Sequence, residues 1–119
     1  MIVAGFGCNS RAGVTALRAV LELHEQAQDV TALACPEVRR ATLAPLARAL
    51  GLPLIALPRA ALAGIATPTQ SARSLDAYGT GSVAEACALV AAGPGAYLLA
   101  GRLVSADGLA TCAIAKGEQ

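Results

Sequence analysis

Two glycine-rich turns hold most of the residues in this chain whose types and spacing could do chemistry. The first is Gly5-Phe6-Gly7-Cys8-Asn9-Ser10-Arg11-Ala12-Gly13. Glycines let a backbone come close to a ligand, and a helix start offers unpaired N–H groups to an anion. Arg11 adds a guanidinium able to grip a carboxylate or phosphate at two points. The competing reading is a tight turn with Arg11 in solvent. The turn is not a dinucleotide fingerprint, because the last glycine of G-x-G-x-x-G is replaced by Ser10. The second strand also ends in Cys35-Pro36, without an acid to hold a ribose, and no G-x-x-x-x-G-K-[ST] occurs.

The second turn, Gly79-Thr80-Gly81-Ser82-Val83-Ala84-Glu85, also leads into a helix start and could hold an anion. Glu85 is the sole charge between Asp76 and Arg102. It is the candidate general acid or base. The simpler account is a capping box, in which Ser82 caps the helix and Glu85 reaches back to the Ser82 N–H. His24, the one histidine, falls on an apolar helix arc and reads as structural. Cys8 sits at a strand end beside a helix start, where thiol pKa values fall, but no base for it can be named. The four cysteines, Cys8, Cys35, Cys87 and Cys112, are widely spaced and read as buried free thiols. No metal site and no cofactor are expected.

These residues need elements to position them. Met1 to Phe6 reads as a buried strand. Ser10 to about Gln28 reads as a helix, with Val14, Leu17, Val20, Leu21 and His24 on one arc. Val30 to Ala34 is a second strand and Glu37 to Leu50 a second helix, in which Pro45 implies a kink or a start near Ala44. Leu52 to Leu57 is a third strand, followed by a short helix over 58–64. Residues 65–81 form a long polar loop, and Ser82 to Ala92 a further helix. Ala96 to Val104 and Leu109 to Ala115 are strands joined by a turn containing Asp107-Gly108. This order predicts an α/β fold, a three-layer α/β/α arrangement with a mixed, mainly parallel sheet of about five strands. Ligands in such folds sit at the carboxyl ends of strands.

The composition agrees with one domain over 1–119. Hydrophobic residues make up 55%, charged residues 14%, and mean hydropathy is +0.58, so the chain is not of the disordered class. Alanine occurs 29 times and aromatics are 3%, so small side chains must build the core and elements must approach closely. A net charge of +1 with dispersed arginines argues against nucleic acid. Gly93-Pro94-Gly95 splits the longest apolar stretch, so no membrane span is expected. The start lacks a basic region ahead of its apolar part, and the expected compartment is the cytoplasm.

Three stretches give the chain its resemblance to a known family: V-A-G-F-G-C-N-S-R-A-G at the start, L-A-R-A-L-G-L-P-L in the middle, and G-T-G-S-V-A-E-A-C-A-L with L-L-A-G-R-L-V-S-A-D-G-L-A-T-C-A-I-A. The chain resembles the CobE / CbiG C-terminal family of cobalamin biosynthesis proteins over about residues 2–115. The resemblance implies two settings. In one, the domain ends an enzyme that opens the lactone of a cobalt-precorrin and releases acetaldehyde. In the other it stands alone, binding or handing on a corrin intermediate. A chain beginning at its first strand is expected to be the standalone form. Gly5, Gly7, Cys8 and Arg11 match the family's first turn; Gly81, Ser82, Val83 and Glu85 match its second, preceded here by Thr80. Arg102 lies where the family commonly has a lysine. The family's Lys, with Glu three residues on, is replaced by Glu37 and Arg40.

The expected ligand is therefore a corrin or precorrin intermediate, gripped by Gly5, Gly7, Cys8, Arg11, Thr80, Gly81, Ser82, Glu85 and Arg102, with Arg73 as a further donor. Expected partners are that intermediate and other cobalamin pathway enzymes. The alternatives are a lactone-opening hydrolase using Glu85, and a non-catalytic domain docked on another pathway enzyme.

Overall fold

The apolar run that opens the chain becomes β1 (Ile2–Cys8), the central strand of the sheet. The computed structural model describes residues 1–118. Along β1 the side chains alternate: Ala4 and Phe6 face one layer, while Val3 faces the other. On the first face lie α1 (Val14–Glu22) and α2 (Arg40–Leu50), burying Leu17, Val20, Leu21, Leu43 and Leu46. On the second face lie α3 (Arg59–Leu62) and α5 (Val83–Ala92), which pack Leu62, Val83, Ala86 and Cys87 against Val3, Ala32 and Ala34. Between them in sequence is α4 (Ala72–Tyr78).

The remaining strands are β2 (Ala32–Pro36), β3 (Leu54–Leu57), β4 (Tyr97–Val104) and β5 (Ala110–Lys116), in the order β3-β2-β1-β5-β4. β1 pairs in parallel with β2, and β2 with β3; β5 runs antiparallel to both β1 and β4. Four strands thus point one way and only β5 is reversed. The fold is the expected three-layer α/β/α arrangement with a mixed five-stranded sheet. No helix among the described residues is long and apolar enough to cross a membrane.

Several boundaries differ from the sequence pattern, each for a local reason. The first helix stops at Glu22, and a separate 3-10 turn covers Glu25–Asp29. His24 lies between them, turned inward with its Nε2–H donating to the Cys112 carbonyl at 2.7 Å. β2 runs on through Cys35 and Pro36, because β3 pairs with both. α2 begins at Arg40 and continues through Pro45, after a 3-10 turn over Glu37–Arg39.

The supposed loop 65–81 contains α4. Ser71 caps this helix by accepting from the Ser74 N–H, and Gly79 ends it at φ +73°. Its one large aliphatic side chain, Leu75, is exposed, so hydrophobic periodicity gave no signal. The β4–β5 hairpin turns as expected: Asp107 accepts from the Ser105 hydroxyl and the Leu109 N–H, which lowers its carboxyl pKa, and Gly108 has φ +75°.

Candidate functional site

The carboxyl ends of β1 and β4, the start of β5 and the first turn of α5 converge on one side of the sheet. A cavity of about 440 Å³ opens there, with α4 as its outer wall. Gly7 and Cys8 line it from β1, Val104 from β4, Leu109 from the hairpin, and Val83 from α5. The two glycine-rich turns meet at this point: a Cβ on Gly7 would stand 3.4 Å from Cγ1 of Val83.

Its electrostatic character is one-sided. Arg39, Arg73 and Arg102 line the cavity, and no Asp or Glu does. Arg39 follows β2, and its Nε–H donates to the Cys8 carbonyl at 3.0 Å, tying two strand ends together. Among the described residues, the guanidinium groups of Arg73 and Arg102 have no hydrogen-bonding or ion-pair partner. Tyr78 adds an aromatic side chain. Burial holds its hydroxyl pKa above the usual value, with Arg39 pulling the other way. Three cations beside Val83, Val104, Leu109 and Tyr78 make a surface suited to an acidic ligand with an apolar body.

Cys8 is not the activated thiol that its place at a strand end suggested. Its pKa is raised by burial, and Arg39 offsets this only in part. Cys35 is pushed up to about 12, again chiefly by burial. Burial likewise pushes up the thiols of Cys87 and Cys112. All four cysteines are free.

Glu85 departs from the capping-box reading. Ser82 does cap α5, its Oγ accepting from the Glu85 N–H at 3.2 Å. The Glu85 carboxylate, however, turns away from the Ser82 backbone. Oε1 accepts from the Thr69 N–H, and Oε2 accepts from the Thr69 hydroxyl and the Arg102 N–H, each at 2.9 Å. The residue is fully buried, and these three donors lie where its side chain can reach them from inside the helix layer.

The expected site residues therefore divide by position. Gly7, Cys8 and Arg102 line the cavity, as does Arg73. Gly5 lies under α5, where a Cβ would collide with the Ala84 carbonyl oxygen. Thr80 donates its hydroxyl to the Ile65 carbonyl at 2.7 Å. Gly81 makes room for the Thr69-Gln70 turn. Ser82 and Glu85 face inward, and Arg11 is exposed outside the cavity lining, its N–H donating to Asn9 Oδ1. Arg39 and Tyr78 were missed. Arg39 had a usable signal, a cation just past the carboxyl end of a strand. Tyr78 had none, because the pattern hid α4.

A family model described as cobalamin synthesis G C-terminus matches residues 2–115. The chain belongs to this family. Membership places it in cobalamin biosynthesis. Solved structures agree. CobE, a protein from the cobalamin (vitamin B12) biosynthetic pathway, matches with a TM-score of 0.81 and 32% identity, over 97% of this chain and 89% of that one. The cobalamin biosynthesis protein chiG from Agrobacterium tumefaciens matches with a TM-score of 0.76 and 37% identity, over 100% of both chains. A cobalamin biosynthesis protein G homolog from Sulfolobus solfataricus shares the fold at 18% identity and a TM-score of 0.75; the match covers 98% of this chain and 37% of that one. No curated protein matches the chain.

Proposed function

We propose that this CbiG C-terminal family member binds a corrin or precorrin intermediate in the arginine-lined cavity and hands it on within the pathway. The observation that carries this reading is the lining: Arg39, Arg73 and Arg102 with no carboxylate among them, next to Tyr78 and the aliphatic side chains of Val83, Val104 and Leu109. Corrin intermediates present acetate and propionate carboxylates around an apolar macrocycle. Guanidinium groups match those carboxylates in charge and geometry. The cavity volume, about 440 Å³, lies within the roughly 300–1,000 Å³ span of small-molecule sites. A macrocycle would enter by one acidic edge, leaving the rest over the rim near Asn9 and Arg11.

A binding role rather than lactone hydrolysis is favoured by Glu85. Its carboxylate oxygens are taken up by Thr69 and Arg102, and the residue does not line the cavity.

The test mixes the protein with a cobalt-free corrin polycarboxylate and follows the ligand's visible absorption through gel filtration. The protein has no tryptophan, so the ligand supplies the signal. Co-elution near one equivalent is expected. Separate elution overturns the reading, and acetaldehyde released from a lactone-bearing intermediate replaces it with the hydrolase.

A further inference from the structure

We propose that Glu85 is the positioning residue of this cavity: one buried carboxylate that fixes its two arginine-bearing walls relative to each other. This rests on the cavity being the binding site proposed above.

One wall is the chain from Thr69 through α4, which brings Ser71, Arg73, Ser74 and Tyr78 to the cavity. Glu85 holds Thr69 by both its N–H and its hydroxyl. The other wall is the end of β4, which brings Arg102 and Val104. There the ladder slips. Ala100 pairs with Ile114 and Leu103 with Cys112, so Gly101 and Arg102 together oppose the single residue Ala113. A bulge of this kind re-aims the side chain it carries. The Arg102 N–H within the bulge donates to Glu85.

Two glycines make the arrangement possible. A Cβ on Gly101 would stand 3.2 Å from Glu85 Oε2, so its absence admits the carboxylate to the strand. A Cβ on Gly81 would stand 2.5 Å from the Thr69 carbonyl oxygen, so its absence admits the Thr69 turn.

A role in stability alone does not call for a carboxylate here. The first six residues of α5 are buried, and the other five are Val, Ala or Cys. An apolar residue would fill the volume without the cost of burying a charge. A carboxylate with three directed donors specifies one geometry. Binding of an acidic ligand between Arg73 and Arg102 depends on that geometry.

The test uses the full chain with Glu85→Gln, which keeps the volume but turns one acceptor into a donor, and Thr69→Val, which removes only the hydroxyl. Amide hydrogen exchange and corrin polycarboxylate titration are read on both, with circular dichroism reporting the folded fraction. For E85Q, exchange at Thr69–Tyr78 and Arg102 is expected to rise about tenfold, with β1 and β5 unchanged, and affinity to fall about tenfold, the equivalent of roughly one hydrogen bond. T69V should show a smaller change of the same pattern, and it carries the test if E85Q does not fold. Unchanged affinity in a folded variant, or faster exchange spread evenly over the sheet, overturns the proposal. If the wild-type protein binds no corrinoid, the functional reading falls, and the exchange pattern alone decides whether Glu85 positions the two walls.

Discussion

Gly5 on β1 and Ala84 on α5 meet backbone to backbone. A Cβ on Gly5 would overlap the Ala84 carbonyl oxygen and lie 2.5 Å from the Ala88 nitrogen. This contact seats α5 directly on the central strand and brings its first turn to the end of β1, where the cavity opens. An alanine-rich helix over a glycine-bearing strand achieves an approach that larger side chains would prevent.

Gly5→Ala is therefore expected to be costly although it adds one methyl. The clash is with backbone, which cannot rotate away. A loss of about 1–3 kcal/mol is expected from overpacking, read by chemical denaturation. An alanine variant as stable as the wild type would mean that α5 is free to shift.

The three cavity arginines should act on affinity. Arg39→Ala, Arg73→Ala and Arg102→Ala are each expected to weaken binding of a corrin polycarboxylate about tenfold, as expected for loss of one charge-assisted contact. Added salt should weaken wild-type binding in the same direction. Arg48→Ala, exposed on α2, serves as the control with affinity unchanged. Equal effects from Arg48 and Arg102 would count against a local site.

The thiols give a pH signature. In the unfolded chain a cysteine loses its proton near its ordinary pKa of 9.0, whereas Cys35 in the folded protein holds it to about 12. The folded state then carries more protons than the unfolded state, so stability is intact below about pH 9 and falls as pH rises toward 12. Cys35→Ala should show a shallower alkaline decline in denaturation midpoint. At neutral pH, thiol reagents should react slowly, first at the partly exposed Cys8, and a ligand in the cavity should protect that residue. Labelling of Cys8 at the same rate with and without bound ligand would separate the thiol from the site.

His24→Leu tests the opposite layer. It removes a buried hydrogen bond to the Cys112 carbonyl and is expected to cost about 1–2 kcal/mol in unfolding free energy. Corrin affinity should not change, since His24 does not line the cavity. A combined loss of stability and affinity would tie the α1 layer to the site.

The sequence alone determined the order of the five strands and of every α-helix except α4, because short apolar runs, one amphipathic helix and the Asp107-Gly108 turn are local signals in local spacing, whereas α4 buries no apolar stripe. It also determined that the two glycine-rich turns lead into helix starts, and its residue pattern carried the family resemblance. Tertiary structure decided what those turns do. Gly5, Thr80, Gly81 and Glu85 face inward because α5 must lie on β1 and the Thr69 segment must lie on α5. Arg39, Arg73 with Tyr78 on α4, and Arg102 come from three separate stretches of chain and become neighbours only when parallel strands align their carboxyl ends. Such proximity is a property of pairing and packing between distant segments, and no local pattern in a single sequence encodes it.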